Sequence, residues 1–318
     1  MSSRWSIFAA AFWLGLGTAG SRGVASDFVH FEARQTHPLE HGRDGTTLLA
    51  LNSVEGRLSV LHSAGEARDL PVLVAEIPVG LGPVAVRART ADEAWVVNEV
   101  SDSLSVVSLR NRVVVATLPC PDEPADLLFV GGRAYVSCAR SRQLRVFDAE
   151  SRVETASIPL EGHSPRAMAL QGDGERIAIA FLHSGNGTTV LPATLAPAPE
   201  VPWNPLLPPA PATARIVEAS DPRVSYRVLD HDVAVVPLRN PSQVTYLGGV
   251  GTSLFTIAFR PGGAKEWWVG NTEANNRTRY EPRLKGRFAV NRLTRVTPET
   301  GVVAVHDLSP FDDQGKAT

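Results

Sequence analysis

The chain has 318 residues, with 31 lysines and arginines against 33 acids and a formal net charge of −2. That length holds one large β domain or two ordinary ones, and the charge balance gives no reason to expect a nucleic-acid partner through bulk electrostatics. Glycine (26) and proline (24) are plentiful and cysteine numbers only 2, the composition of many short strands joined by many turns.

In chain order, residues 1–25 come first: a basic start, the apolar run "WSIFAAAFWLGLG" and then small residues. This is the layout of a secretory signal peptide, and the run is shorter than the roughly 20 apolar residues that cross a bilayer. The chain is therefore expected to be exported, to a periplasm or the extracellular space. No later stretch is apolar and long enough for a membrane span. Residues 26–43 form a polar N-terminal segment carrying His30, His37 and His41. His37 and His41 with Glu40 would meet on a helix, but Pro38 and the missing apolar face argue for a surface loop.

From residue 44 a repeat begins. Pro83, Pro124 and Pro165 recur at a 41-residue interval. Each opens an alternating strand, a Gly- or Asp-containing turn, a second strand, a polar turn, a third strand and a fourth. "AWVVNEVSDSLSVVSL" returns as "AYVSCARSRQLRVFDA", and "LLALNSVEGRLSVLHS" precedes both in the same register. The units are expected at 44–82, 83–123, 124–164, 165–250 and 251–310. The fourth is interrupted by a proline-rich insertion, 187–230, and its third strand resumes at "HDVAVVPL". Proline cannot donate to a ladder, so the tract inside that insertion reads as a loop or a stiff polyproline segment. The fifth carries an insertion at 272–290, and "TPETG" is the turn between its last two strands.

A unit of four short strands cannot bury both faces alone, and a period near 40 with four strands per unit is the mark of a propeller blade. The expected fold is all-β, a β-propeller of four-stranded blades similar to YVTN and WD40 repeats. "WVVN", "WVGN" and "AEIPVG" (75–80) resemble the YVTN family of β-propeller repeats over roughly residues 44–310, with Cys138 in "YVSC" where the repeat has asparagine. The resemblance implies an exported protein with about seven blades; about five are legible, which makes this an incomplete ring. Long relatives with a similar "NRTRYEPRLKGRF" insertion often continue into a cytochrome c domain. The chain itself has no C-x-x-C-H.

Strand order puts each second-to-third turn and each blade-to-blade connection on one rim, where loops on a rigid scaffold usually bind. That rim gathers Asn52, Asn98, Glu99, His163, His183, Asn271 and Glu273, and both insertions hang from it, the second adding Arg277 and Arg279 in a basic stretch. Taken singly, each asparagine reads first as a cap on its own turn. Cys120 and Cys138 come from neighbouring turns, either as a disulfide, which an exported protein can form, or as two buried thiols. No nucleophile elbow, dinucleotide fingerprint or phosphate loop is present. No catalytic residue, metal site or cofactor is assigned. Two functions remain: a binding scaffold that presents the rim to a protein or cell-surface ligand, and the propeller part of an exported redox enzyme whose haem is carried by a cytochrome c domain elsewhere.

Overall fold

The computed structural model describes residues 34–63, 70–197, 204–206, 208, 213–260, 265–275 and 287–308. The expected signal peptide, His30, Arg277 and Arg279 lie outside the described residues.

The first sheet comprises β1 (Leu39–His41), β2 (Thr47–Asn52), β3 (Arg57–His62) and β4 (Val72–Pro78). The second comprises β5 (Pro83–Ala88), β6 (Glu93–Asn98), β7 (Ser103–Ser108) and β8 (Val113–Pro119). The third comprises β9 (Pro124–Val130), β10 (Arg133–Cys138), β11 (Gln143–Asp148) and β12 (Glu154–Pro159). The fourth begins with β13 (Pro165–Leu170) and β14 (Arg176–Phe181). A two-stranded ladder of β15 (Thr188–Leu191) and β16 (Arg215–Glu218) then intervenes before β17 (Val233–Pro237) and β18 (Thr245–Leu247) complete the sheet. The fifth comprises β19 (Ser253–Phe259), β20 (Trp267–Ala274), β21 (Ala289–Thr297) and β22 (Gly301–Asp307). Every sheet is an antiparallel meander, and β1, β5, β9, β13 and β19 follow one another around the inside. The chain is a β-propeller.

The repeat in sequence is a repeat in register. Asn52 pairs Arg57, Asn98 pairs Ser103 and Cys138 pairs Gln143, so the second-to-third turn has one length in three blades. Its last residue adopts a left-handed backbone each time: Gly56, Asp102 and Arg142. The following turn repeats the device at Arg112, Arg152 and Gly301. The first strand of blades two to five carries a bulge at its start, away from the turn to the second strand. Bulges increase local twist, which turns each flat ribbon into a propeller blade.

Burial follows from stacking. Leu49, Leu58, Ile77, Val86 and Val96 fill the space between the first two sheets. Trp95, Leu104, Leu127, Val136 and Phe147 fill the next, Leu144, Met168, Ile179 and Val236 the next, and Val235, Leu254, Ile257 and Trp267 the last. The inner strands β5, β9 and β13 are buried on both faces over most of their length, whereas β8 alternates exposed and half-buried residues at the periphery.

Three sequence expectations change. The first blade starts at Leu39, not at 44, because the polar N-terminal segment supplies its innermost strand; Leu39 to His41 pair Ala50 to Leu48. Residues 36–38 are not a surface loop. Thr36 N and His37 N donate to Val84 O, and Val86 N donates to His37 O, so the segment lies along the start of β5. The insertions are also partly built into strands. The first interrupts the fourth blade from residue 182 to 232 and carries β15 and β16, with Thr188 opposite Glu218. The second is gripped by a hairpin reaching Ala274 opposite Ala289.

Candidate functional site

The rim is held together by backbone hydrogen bonds between each turn and the adjoining connections. Glu99 N donates to Gly82 O, Cys120 N to Asp102 O, Ala139 N to Glu123 O, and Leu182 N to Ser164 O. Each turn is thus tied to the connection beside it, and the residues that close each second strand hang beneath this rim.

Those residues divide into two groups. Asn52 caps its own turn, accepting from Glu55 N at 3.2 Å. Asn98 is fully buried and donates to Ser103 Oγ and Ser105 Oγ at 3.3 and 3.0 Å. It fits because Gly80 lies over it: a Cβ there would stand 2.6 Å from the Asn98 side chain. Asn271 repeats the arrangement beneath Gly251, donating to Thr294 Oγ1 at 2.8 Å and Val269 O at 3.0 Å. In the fourth blade Phe181 takes the same place beneath Gly162. In the third, Cys138 sits opposite Cys120, with the sulfurs 3.7 Å apart, both buried and both free. Their mutual contact, then burial, pushes the Cys120 thiol far above its ordinary pKa, and an unionised thiol is a poor nucleophile.

Glu99, His163 and His183 belong to a charged cluster toward the axis that sequence reasoning missed. Arg166, buried on β13, donates from Nη1 to Glu99 Oε1 at 2.6 Å and from Nη2 to Arg34 O at 2.7 Å. His163 and His183 are exposed next to it, and His183 N donates to His163 O. Partial desolvation, then Arg34, His163 and Arg166, holds the His183 pKa below its usual value. Deeper in, the buried Asp126 accepts from Met168 N at 2.7 Å and lies 2.9 Å from His37 Nδ1, off the direction of a good hydrogen bond. Arg87 donates to Leu127 O at 2.9 Å and approaches Glu40 and Asp126. One charged residue in each of β5, β9 and β13 (Arg87, Asp126 and Arg166) was the available signal, inside strands that otherwise read as apolar. Among the described residues, no three His, Cys, Asp or Glu side chains stand close enough together to hold a metal ion.

Glu273 lies elsewhere on the rim, at a cavity of about 390 Å³ where the fourth and fifth blades meet the base of the first insertion. Gly185, Asn186 and Gly187 border it at the end of β14, Glu218 on β16, Asp230 and Asp232 before β17, and Glu273 and Arg292 on the hairpin of the fifth blade. Arg292 donates to Glu273 Oε2 at 3.1 Å and to Val250 O at 2.8 Å. Asp232 is 1% exposed. Its Oδ2 accepts from Val250 N and Gly251 N at 2.5 and 3.0 Å, while Oδ1 is buried without a hydrogen-bond partner. Burial, reinforced by Asp230 and Glu273, pushes its pKa up to about 7 against the two amide bonds that lower it. Of this cavity, sequence reasoning named Glu273 and the two insertions. Asp230 and Asp232 were hidden because "DHD" precedes a strand whose paired residues stand 53 positions or more away in the chain, the closest being Ala180 and Val233 (233 − 180).

No family model matches the chain, and no curated protein matches it significantly. Solved structures share its fold. A chain of Kuenenia stuttgartiensis hydrazine synthase superposes with a TM-score of 0.64 at 16% identity, over 92% of this chain and 71% of that one. A functionally unknown protein from Desulfotomaculum acetoxidans DSM 771 gives 0.50 at 12% identity, over 85% of this chain and 84% of that one. The dihydro-heme d1 dehydrogenase NirN in complex with DHE gives 0.49 at 18% identity, over 86% and 47%. At such identities the likeness of the first two is one of fold, and it agrees with the β-propeller built from the strand registers.

Proposed function

We propose that the chain is an exported binding scaffold of the YVTN repeat type, which presents its loop-rich rim to a protein or cell-surface ligand. The observation that carries this reading is the cavity on that rim, walled by two blades and floored by the base of an insertion. Concave, loop-lined places on a rigid scaffold are where ligands usually sit. The opposite edge, with turns such as Asn111–Arg112 and Glu150–Arg152, has shorter connections, the longest being the nine residues between β3 and β4.

A second reading is favoured by the likeness to hydrazine synthase, an enzyme by name. In it the chain is the propeller part of an exported redox enzyme and the rim docks a cytochrome c domain. One experiment addresses both. A photo-cross-linking residue is placed at Asn186 on the rim or at Asn111 on the opposite edge, and the full chain is expressed in its native host. Discrete adducts from Asn186 alone are expected. An adduct that stains for covalent haem supports the redox reading. Equal adducts at both positions, or none at either, overturns the assignment of the rim as the binding face.

A further inference from the structure

From the second blade to the fifth, one residue of the incoming connection lies over the residue that closes the second strand. Three of these pairs put a glycine on top: Gly80 over Asn98, Gly162 over Phe181 and Gly251 over Asn271, each too close for a Cβ to fit. The third blade departs from the pattern at both positions at once. Its connection supplies Cys120 and its second strand ends in Cys138, and these are the 2 cysteines of the whole chain. Their sulfurs stand 3.7 Å apart and neither residue has exposed surface.

The backbone on either side fixes that approach. Cys120 N donates to Asp102 O at 2.9 Å, and Ala139 N, next to Cys138, donates to Glu123 O at 2.8 Å. Glu123 N is held in turn by Asp102 Oδ1 at 2.9 Å. Between Cys120 and Pro124 the chain turns through Asp122 and Glu123, both left-handed at φ 70° and 60°. Two such residues in succession cost free energy and persist only where their surroundings dictate them.

We propose that Cys120 and Cys138 are a modification site, a disulfide that joins the second blade to the third and closes while the chain folds rather than afterwards. The sulfurs have about 1.7 Å to close between them to reach bonding distance, which the two side chains share by rotation about their Cα–Cβ bonds. The step is a thiol–disulfide exchange with a disulfide oxidant, either a small-molecule disulfide or the disulfide of an exported dithiol oxidase. One cysteine thiolate attacks the oxidant and releases its first thiol, leaving a mixed disulfide. The second cysteine thiolate attacks the first cysteine's sulfur and releases the second thiol. The pair gives up two electrons and two protons, and the oxidant takes them up as two thiol groups.

Burial sets the order of events. In the folded chain neither sulfur reaches solvent, and contact with Cys138, then burial, holds Cys120 as a neutral thiol. Exchange needs a thiolate and access to the sulfur, and the unfolded chain offers both. Once formed, the bond lies among Trp95, Leu127, Val136 and Phe147, beyond the reach of a reductant. The export proposed above places the folding chain among such oxidants, but the test does not depend on it.

The test reads thiols by mass. Full chain produced in the reduced state is divided: one part stays folded in glutathione disulfide, and the other is unfolded in urea and refolded into the same buffer. A third sample is synthesised in a cell-free reaction containing glutathione disulfide, so that a chain that does not recover from urea is still read. All are quenched with acid, denatured and alkylated. The refolded and cell-free chains are expected to carry no alkyl group and to be lighter than the reduced chain by two hydrogens, whereas the chain kept folded takes up two alkyl groups. Closing a loop of 18 positions should raise the melting temperature by about 5 °C. Dithiothreitol should open the bond in urea and not in buffer, and Cys120→Ala combined with Cys138→Ala should abolish the dependence of melting on oxidant. Two alkylated thiols in the folded product of either route overturn the proposal and leave a pair of small side chains that fill the space of a glycine and its partner. Glutathione adducts or cross-linked dimers in place of the internal bond overturn it too, as does a bridged chain that melts no higher than the reduced one. A chain that loses its thiols as fast when kept folded as when refolded overturns closure during folding.

Discussion

Between the second and third blades the rim is closed, and between the fourth and fifth it is open. In the closed region Trp95, Leu104, Leu127 and Phe147 pack without polar intrusion. The turn above them is short, and Cys120 meets Cys138 where other blades place glycine over asparagine or phenylalanine. In the open region the equivalent turn of the fourth blade is replaced by an insertion, and acids stand where the turn would have covered the gap. The strands beneath are the same device in both places. The difference shows that a blade interface becomes a cavity when its turn is exchanged for a longer segment, without any change in the sheets that carry it.

The strongest way to break the comparison is in the dry interface. Trp95 is fully buried, lies edge-on to Phe129 at 5.4 Å and donates Nε1 to Glu93 at 2.9 Å. Trp95→Ala should cost about 3–5 kcal/mol of stability, read as an earlier midpoint in urea denaturation. A midpoint shift worth less than about 1 kcal/mol would mean that this interface does not hold the array together.

The open region should respond to pH instead. Asp232 has a folded pKa of about 7 and an unfolded value near the usual ~3.9. Between pH 4 and 7 the folded chain keeps a proton that the unfolded chain has lost, so this group lowers stability as pH rises through that window, by on the order of 4 kcal/mol, with no further change above it. Asp232→Asn should match the parent near pH 4 and exceed it at pH 8, because asparagine Oδ1 can still accept from Val250 N and Gly251 N. Parallel stability–pH curves for the two proteins would contradict this.

The contact beneath the rim is a smaller target. Gly80→Ala should cost about 1–3 kcal/mol by overpacking Asn98, and the cost should shrink in an Asn98→Ala background, a coupling that a double-mutant cycle measures. Additive costs would show that the glycine is needed for another reason. The smallest effect belongs to the outer turns. Arg112 holds φ at 58°, and Arg112→Gly should relieve that backbone for a gain of no more than about 1 kcal/mol, seen as a melting temperature higher by about 2 °C.

Much of the fold was legible because a blade writes its geometry locally. Pro83, Pro124 and Pro165 open inner strands, the alternating valines and leucines face neighbouring sheets, and "TPETG" makes the turn assigned to it. The innermost strand of the first blade was not legible. Leu39–His41 is three residues long and polar on both sides, and nothing in "LEH" signals that β2 will pair with it. Of the site, the rim was legible from strand order, and with it Asn98, Glu99 and Glu273. The partners that give those residues their character were not. Arg166 stands 67 positions from Glu99, and Arg292 lies across the second insertion from Glu273.

By itself, then, the sequence determined the repeating hairpin, the order of strands and the edge on which the long insertions emerge, since each depends on turns and alternation within some 40 residues. Only the tertiary structure decided which charges meet. Asp232 acquires a buried, unpartnered oxygen because two blades and an insertion close around it, and Arg166 joins Glu99 because successive inner strands converge on the axis. Those environments are set by desolvation and by distances between remote parts of the chain, which no local pattern encodes.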